Sequence, residues 1–103
     1  IENAEKGIAE ACRQTGAIIA NFTAAPKYFG EGRANGCHEW LIEFLEMPGD
    51  REQFASLLDQ SLRKLNDDYN AKRYKDMALG PLQMHVARPQ LFHDWLKSKG
   101  KLG

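Results

Sequence analysis

The first apolar pattern in the chain is helical. Between Asn3 and Thr15, apolar or small side chains recur at intervals of three and four residues, at Ile8, Ala11, Cys12 and Thr15. This spacing predicts an amphipathic helix. Asn3 is a suitable N-cap, and Gly16 stands where a helix-ending glycine belongs.

Two strands are predicted next, joined by a loop. From Ala17 to Ala25 the apolar side chains alternate, with Ile18, Ala20, Phe22 and Ala24 on one face, until Pro26 ends the run. Glycine and charge dominate Lys27 to Gly36, which is typical of a hairpin loop. From His38 to Phe44, the large apolar residues share one face and Glu39 and Glu43 share the other. This second strand should therefore have one buried face and one wet face.

The second half of the chain predicts helix, strand and helix. Asp50 can cap a helix, with Gln53 as the returning half of a capping box. The helix should run from Arg51 to about Asn66, and then continue or restart through residues 71–74. Its apolar stripe is Phe54, Leu58, Leu62, Leu65 and Tyr69, widened by Leu57. Alternation over residues 82–87 predicts a third strand, and Arg88-Pro89 leads into a helix bearing Leu91, Phe92, Trp95 and Leu96.

The order helix, strand, strand, helix, strand, helix predicts a single α+β domain over residues 1–103. The first two strands should pair antiparallel as a hairpin. The long helix should then cross one face so that the third strand can join. The result is a small mixed or antiparallel sheet of about three strands. An exposed sheet edge is expected, and a further strand from sequence outside the chain would be natural there.

The composition of the chain argues against several classes of function. The 103 residues carry 14 basic and 14 acidic side chains, and 43% are hydrophobic, which predicts one folded domain. Zero net charge favours neither nucleic acid nor an anionic membrane as partner. No apolar run approaches the roughly 20 residues that span a bilayer. The two cysteines, Cys12 and Cys37, predict reduced thiols in a cytoplasmic protein, without a metal site.

The sequence contains little catalytic chemistry. It has no GxSxG nucleophile motif, no P-loop and no GxGxxG. Asp67-Asp68 is interpreted as a solvated or capping pair, and the basic run over residues 72–75 as solvated helix surface. His85 and His93 are predicted at the surface. His38 lies beside the glycine-rich loop and invites a role in ligand or domain contact, the alternative being an ordinary hydrogen-bonded histidine at a strand end.

Several short motifs together resemble one known family. They are Gly36-Cys37-His38-Glu39-Trp40-Leu41-Ile42-Glu43-Phe44, then Leu65-Asn66-Asp67-Asp68-Tyr69 with Arg73, and Gly80-Pro81-Leu82 with Phe92 and Trp95 downstream. From Glu2 to Gly103, the chain resembles the C-terminal domain of the Gretchen Hagen family of auxin-responsive acyl-acid amido synthetases. The similarity is greatest to the bacterial members.

The resemblance implies a role within a larger ligase. Members of this family activate a carboxylic acid as an acyl-AMP and pass the acyl group to an amino acid. Their large N-terminal adenylation domain binds ATP, magnesium and the acid, and a small C-terminal domain closes over that site. The chain is then expected to be this mobile lid, inactive alone and holding no cofactor itself. A phosphate-contacting hinge lysine would lie just before Ile1.

The resemblance also suggests site residues. Thr23 matches the family's threonine after the aromatic residue of the first hairpin strand. Together with His38, it is a candidate for substrate or interdomain contact, while no catalytic residue and no metal ligand is expected. Cys37 stands where the family pattern has glycine, which puts the contact of His38 in doubt. Arg73 is expected to form a structural ion pair or cap.

Two alternatives remain beside the lid hypothesis. One is a free-standing α+β module that binds a small ligand or dimerises through its sheet edge. The other is a nucleic-acid-binding sheet, against which Glu39 and Glu43 argue. The start at Ile1 and the basic tail over residues 97–103 favour the lid hypothesis, because they suggest a piece cut from a longer protein.

Overall fold

The elements follow the predicted order, with the long helix divided in two. The computed structural model describes residues 3–28, 36–74 and 79–98. The elements are α1 (Ala4–Thr15), β1 (Ile18–Tyr28), β2 (Gly36–Glu46), α2 (Arg51–Leu65), α3 (Asp67–Arg73), β3 (Gln83–Val86) and α4 (Leu91–Ser98). This confirms the α+β class. Predictions that concern residues 1–2, 29–35, Lys75, the side chain of Leu96 and residues 99–103 lie outside the described residues.

The three strands form one mixed sheet in the order β1-β2-β3. β1 and β2 pair antiparallel, as a hairpin requires, and β2 and β3 pair parallel. Because parallel neighbours need a crossover connection, α2 and α3 bridge β2 to β3, as predicted. Among the described strands, β1 pairs only with β2, so its outer edge is the expected exposed edge. An open groove of about 620 Å³ follows this edge beside α1.

The core lies between the sheet and the helix pair α1 and α2. Its fully buried side chains include Trp40 and Ile42 of β2, and Phe54, Leu58 and Leu62 of α2. These confirm the core face of the second strand and most of the predicted helical stripe. Leu65 departs from that stripe with 42% exposure, since α2 ends there.

The second face of the sheet is less exposed to solvent than predicted. Glu43 is only 7% exposed, although the alternation of β2 places it opposite the core. α4 lies against this same face, where residues of the helix and Leu41 line a common cavity. The prediction of a solvated second face is therefore wrong at Glu43, because the pattern of one strand does not show what packs on its second face.

The first strand differs from its prediction at both ends. β1 does not end at Pro26 but continues to Tyr28, with Pro26 paired opposite His38. Proline lacks an N–H group, and an edge strand tolerates this because its outer side needs no donor. Near the other end, register shifts between Ile18, Ile19 and Asn21 turn Ile18 outward to 55% exposure. The extra residue of a β-bulge moves side chains between faces, so Ile19 packs on the core instead.

The helix ends confirm most of the predicted caps. Gly16 ends α1 in the left-handed conformation with φ 78°, and the Asp50 side chain accepts the Gln53 N–H at 3.1 Å. Asn3 occupies the predicted N-cap position of α1, but its side chain makes no capping hydrogen bond. The Asn3 amide donates instead to the carbonyl of Leu65 at 2.8 Å, which ties the start of α1 to the end of α2.

Candidate functional site

A polar groove lies where the connected end of the β1–β2 hairpin, at Tyr28 and Gly36, meets α3. It encloses about 530 Å³ and is lined by Pro26, Tyr28, His38, Asn66, Asp68, Tyr69, Lys72 and Leu79. Neighbouring positions on a strand alternate between faces, so the Pro26, Tyr28 and His38 side chains share the core face of the sheet at the connected end of the hairpin. We call this feature the His38 groove.

His38 stands on an aromatic support. Its ring stacks on that of Tyr69, with 5.1 Å between the ring centroids and 29° between the planes. The Nδ1 atom is buried without a hydrogen-bond partner. Burial lowers the pKa of His38, because the imidazolium would lose solvation there, and nearby positive charge including Lys72 acts in the same direction.

A buried ion pair holds Tyr69 in place. The Tyr69 hydroxyl donates to Asp59 Oδ1 at 2.5 Å. Arg73 binds the same carboxylate through two atoms, Nε to Oδ1 at 3.0 Å and an Nη atom to Oδ2 at 2.7 Å. Burial and this carboxylate raise the pKa of Tyr69, so the hydroxyl stays protonated and keeps donating.

These contacts confirm the predicted structural role of Arg73. They correct the interpretation of residues 72–75 as solvated surface, because Arg73 is buried and also donates to the Leu79 carbonyl at 3.3 Å. Asp59, the carboxylate of the pair, is not predicted from the sequence. Its position next to Leu58, at the edge of the α2 apolar stripe, was the available signal. Tyr69 was assigned to the core, where it lies, but without its polar partner.

The acidic pair Asp67-Asp68 behaves as predicted. Both residues lie in the first turn of α3, where a carboxylate complements the helix dipole. Both are exposed, and Asp68 pairs with Lys72 at 3.0 Å. The cap itself comes from Asn66, whose side chain accepts the Tyr69 N–H at 3.0 Å. Because the Asn66 backbone is extended, with φ −135°, the long helix breaks there and α3 can turn toward the groove.

Thr23 lies on the other face of the sheet. It pairs opposite Leu41, one position out of phase with the strand residues that face the groove. Thr23 is exposed and lines a cavity of about 310 Å³ with Leu41, Leu91, Phe92 and Trp95. The structure therefore does not bring the two predicted contact residues together, and both remain predictions as contact sites.

Cys37 lies in β2 and does not have the positive φ that would favour glycine. Its side chain is buried, and burial raises the pKa of its thiol. Both cysteines are free, as predicted. The close backbone approach lies one residue earlier, because a Cβ atom on Gly36 would collide with the Lys27 carbonyl oxygen.

The remaining histidines are exposed, as predicted. His85 contacts Glu39 at 3.0 Å across β2 and β3, and Lys27 approaches the same carboxylate at 3.5 Å. The hydrogen bond to His85 is the main reason that the pKa of Glu39 is lowered. His93 lies on the exposed surface of α4.

Residues 3–28, 36–74 and 79–98 contain neither a candidate metal site nor a candidate membrane-spanning helix. No cluster of three or more histidine, cysteine or acidic side chains there is arranged to hold a metal ion. None of the helices in this part of the chain is long and apolar enough to cross a bilayer.

Comparison with known proteins identifies the family. A model of the GH3 family C-terminal domain matches residues 2–103. A search of curated proteins found no match. Among solved structures, the chain resembles a GH3.15 acyl acid amido synthetase with a TM-score of 0.73 and 18% sequence identity. The match covers 99% of this chain and 19% of that protein, so the chain spans about a fifth of its length. The family match extends over nearly the whole chain and confirms the resemblance to the Gretchen Hagen (GH3) family. The chain therefore belongs to the GH3 family, as its C-terminal domain.

Proposed function

We propose that this chain is the mobile C-terminal domain of an ATP-dependent acyl-acid amido synthetase. The enzyme would adenylate a carboxylic acid and conjugate the acyl group to an amino acid. The observation that supports the proposal is the family match over residues 2–103, together with a shared fold that occupies 19% of a protein described as an acyl acid amido synthetase.

In this proposal, the chain contributes contact surface and water exclusion. A closing domain protects a reactive acyl phosphate from hydrolysis and brings its own groups to the site only in the closed state. His38 is the better supported contact residue, since its ring is fixed by Tyr69 at the edge of an open groove. Thr23 is the second candidate, on the α4 face. ATP and magnesium would be held by the large domain, and we assign no ligand of either to this chain.

The proposal is tested by comparing this chain with the longer protein that contains it. Each is incubated with ATP, magnesium, a panel of carboxylic acids and hydroxylamine, and acyl hydroxamate is measured. We expect product from the longer protein and none from residues 1–103 alone. Hydroxamate formation by this chain alone would overturn the proposal, as would a longer protein that adenylates no acid in the panel.

A binding module is the second candidate function, and the His38 groove is the observation that favours it. A pocket of about 530 Å³ is large enough for a small ligand. The two proposals separate in one further measurement. Saturable binding of a metabolite to residues 1–103, at the same affinity in the longer protein, would favour the module.

A further inference from the structure

The two ring nitrogens of His38 have different surroundings. Nδ1 has no accessible surface and no hydrogen-bond partner. The ring as a whole is half-buried and lines the groove. Nε2 is therefore the ring nitrogen that a group entering the groove can reach.

This asymmetry determines where the proton should lie. An imidazolium would bury a charged N–H without a partner, and a neutral ring protonated at Nδ1 would bury a neutral N–H without one. Buried N–H groups without a partner are rare in folded proteins, and buried acceptors without one are somewhat less rare. The neutral ring with its proton on Nε2 avoids both costs.

We propose that His38 is held as the neutral Nε2–H tautomer and donates a hydrogen bond to an acceptor oxygen that enters the groove. The acceptor belongs either to the large domain or to the acyl-adenylate that this domain carries. The identity of the acceptor rests on the proposed function above, whereas the tautomer does not.

Tyr69 is the positioning residue for this donor. Its ring covers one face of the imidazole, and its hydroxyl is anchored to Asp59, which Arg73 holds in turn. The other polar side chains that line the groove are Tyr28 of β1, Asn66 at the start of α3, and Asp68 and Lys72 of α3. Lys72 opposes a positive charge on His38 and Asp59 favours one, but burial outweighs both in lowering the pKa of His38.

The tautomer can be measured directly in this chain. Long-range proton–nitrogen NMR spectra of ¹⁵N-histidine-labelled protein separate the Nε2–H, Nδ1–H and doubly protonated forms. At about pH 7 we expect the Nε2–H pattern for His38. The Nδ1–H pattern or the doubly protonated form would overturn the proposal.

Variants of Tyr69 test its positioning role in the same spectra. Tyr69→Leu removes the stacked ring and should move the pKa of His38 toward its ordinary value. Tyr69→Phe keeps the ring, loses only the bond to Asp59 and should shift the pKa of His38 less. This variant also provides the test if Tyr69→Leu fails to fold. Tyr28→Leu is the matched control on the same groove and should leave His38 unchanged. Equal shifts in Tyr69→Phe and Tyr28→Leu would contradict the positioning role.

The donor role is tested in the longer protein with side chains of different reach. A glutamine amide can place an N–H near the position of Nε2, whereas an asparagine amide is too short. We expect His38→Asn and His38→Ala to lower kcat/KM about three- to tenfold, the value of one hydrogen bond, and His38→Gln to restore most of it. His93→Gln, outside the groove, is the control and should have no effect.

The kinetic parameters distinguish the two acceptors. A loss confined to kcat indicates an acceptor on the large domain that is reached only on closure, and a raised KM for ATP or the acid indicates an acceptor on the bound molecule. A His38→Gln variant as impaired as His38→Ala would overturn the donor role. If the longer protein adenylates no acid, the proposed function fails, while the NMR result still decides the tautomer.

Discussion

The two faces of the sheet support their candidate contact residues in different ways. On the core face, His38 stacks on Tyr69, which a buried Asp59–Arg73 ion pair holds in place. On the opposite face, Thr23 borders a cavity under α4, where Trp95 is 54% exposed. His38 is thus supported by an ordered polar network, whereas Thr23 lies beside a cavity next to α4.

The surroundings of His38 and Thr23 differ in how far they preorganise a contact. A side chain whose neighbours are fixed by buried hydrogen bonds loses little freedom when a partner arrives, so more of its contact energy appears as affinity. A side chain beside an open apolar cavity does not have this advantage. We therefore expect His38 rather than Thr23 to make the proposed interdomain contact.

Removing the ion pair should have the largest effect. Arg73→Ala leaves the Asp59 carboxylate buried without its cation, which typically costs about 3 to 5 kcal/mol of unfolding free energy. The neighbouring Lys72→Ala removes an exposed pair with Asp68 and should cost no more than about 1 kcal/mol. Denaturant unfolding of both variants measures the difference. Similar losses would mean that the support under His38 is not structurally special.

A methyl group at Gly36 should disturb the connected end of the hairpin. Its Cβ would meet the Lys27 carbonyl, a backbone atom that cannot rotate away, so Gly36→Ala should cost about 1 to 3 kcal/mol. Gly49 has open space around its Cβ position, and Gly49→Ala is the matched control, expected within about 1 kcal/mol of wild type. Thermal unfolding of the two variants provides the measurement. Equal melting temperatures would contradict the close approach.

The α4 face should tolerate truncation better than the core face. Phe92 is only partly buried, so Phe92→Ala should cost about 1 kcal/mol. Phe54 is fully buried, and Phe54→Ala should cost about 3 to 5 kcal/mol. Urea unfolding of this pair compares the packing of the two faces. A loss at Phe92 as large as that at Phe54 would show that the cavity face is as tightly packed as the core.

Acidification should produce the smallest effect. Burial lowers the pKa of His38, so the unfolded chain takes up a proton at a higher pH than the folded chain does. The stability that His38 contributes is complete above about pH 6.5 and is lost as the pH falls from there through the folded-state pKa. Unfolding free energies between about pH 7 and about pH 5 should therefore fall more steeply for wild type than for His38→Gln. Parallel slopes would contradict this linkage.

Much of the fold could be predicted because its signals are local. The alternation of Trp40, Ile42 and Phe44 and the helical spacing of Phe54, Leu58 and Leu62 both survive in the structure. Asp50 and Gly16 mark helix ends through contacts a few residues away, so their roles are also readable. The errors fall where the outcome depends on distant residues. Ile18 turns outward at a bulge that requires β2, and Asn3 bonds to Leu65 across the helix pair.

The candidate site shows the same division. By itself, the sequence determined the order of elements, the α+β class, the free thiols and the position of His38 at the start of a strand, because these follow from local spacing and chemistry. Only the tertiary structure decided that Tyr69 lies against His38, that Asp59 and Arg73 meet beneath it, and that Thr23 faces the other way. Asp59 and Arg73 are 14 residues apart on different helices, so packing rather than spacing brings their charges together.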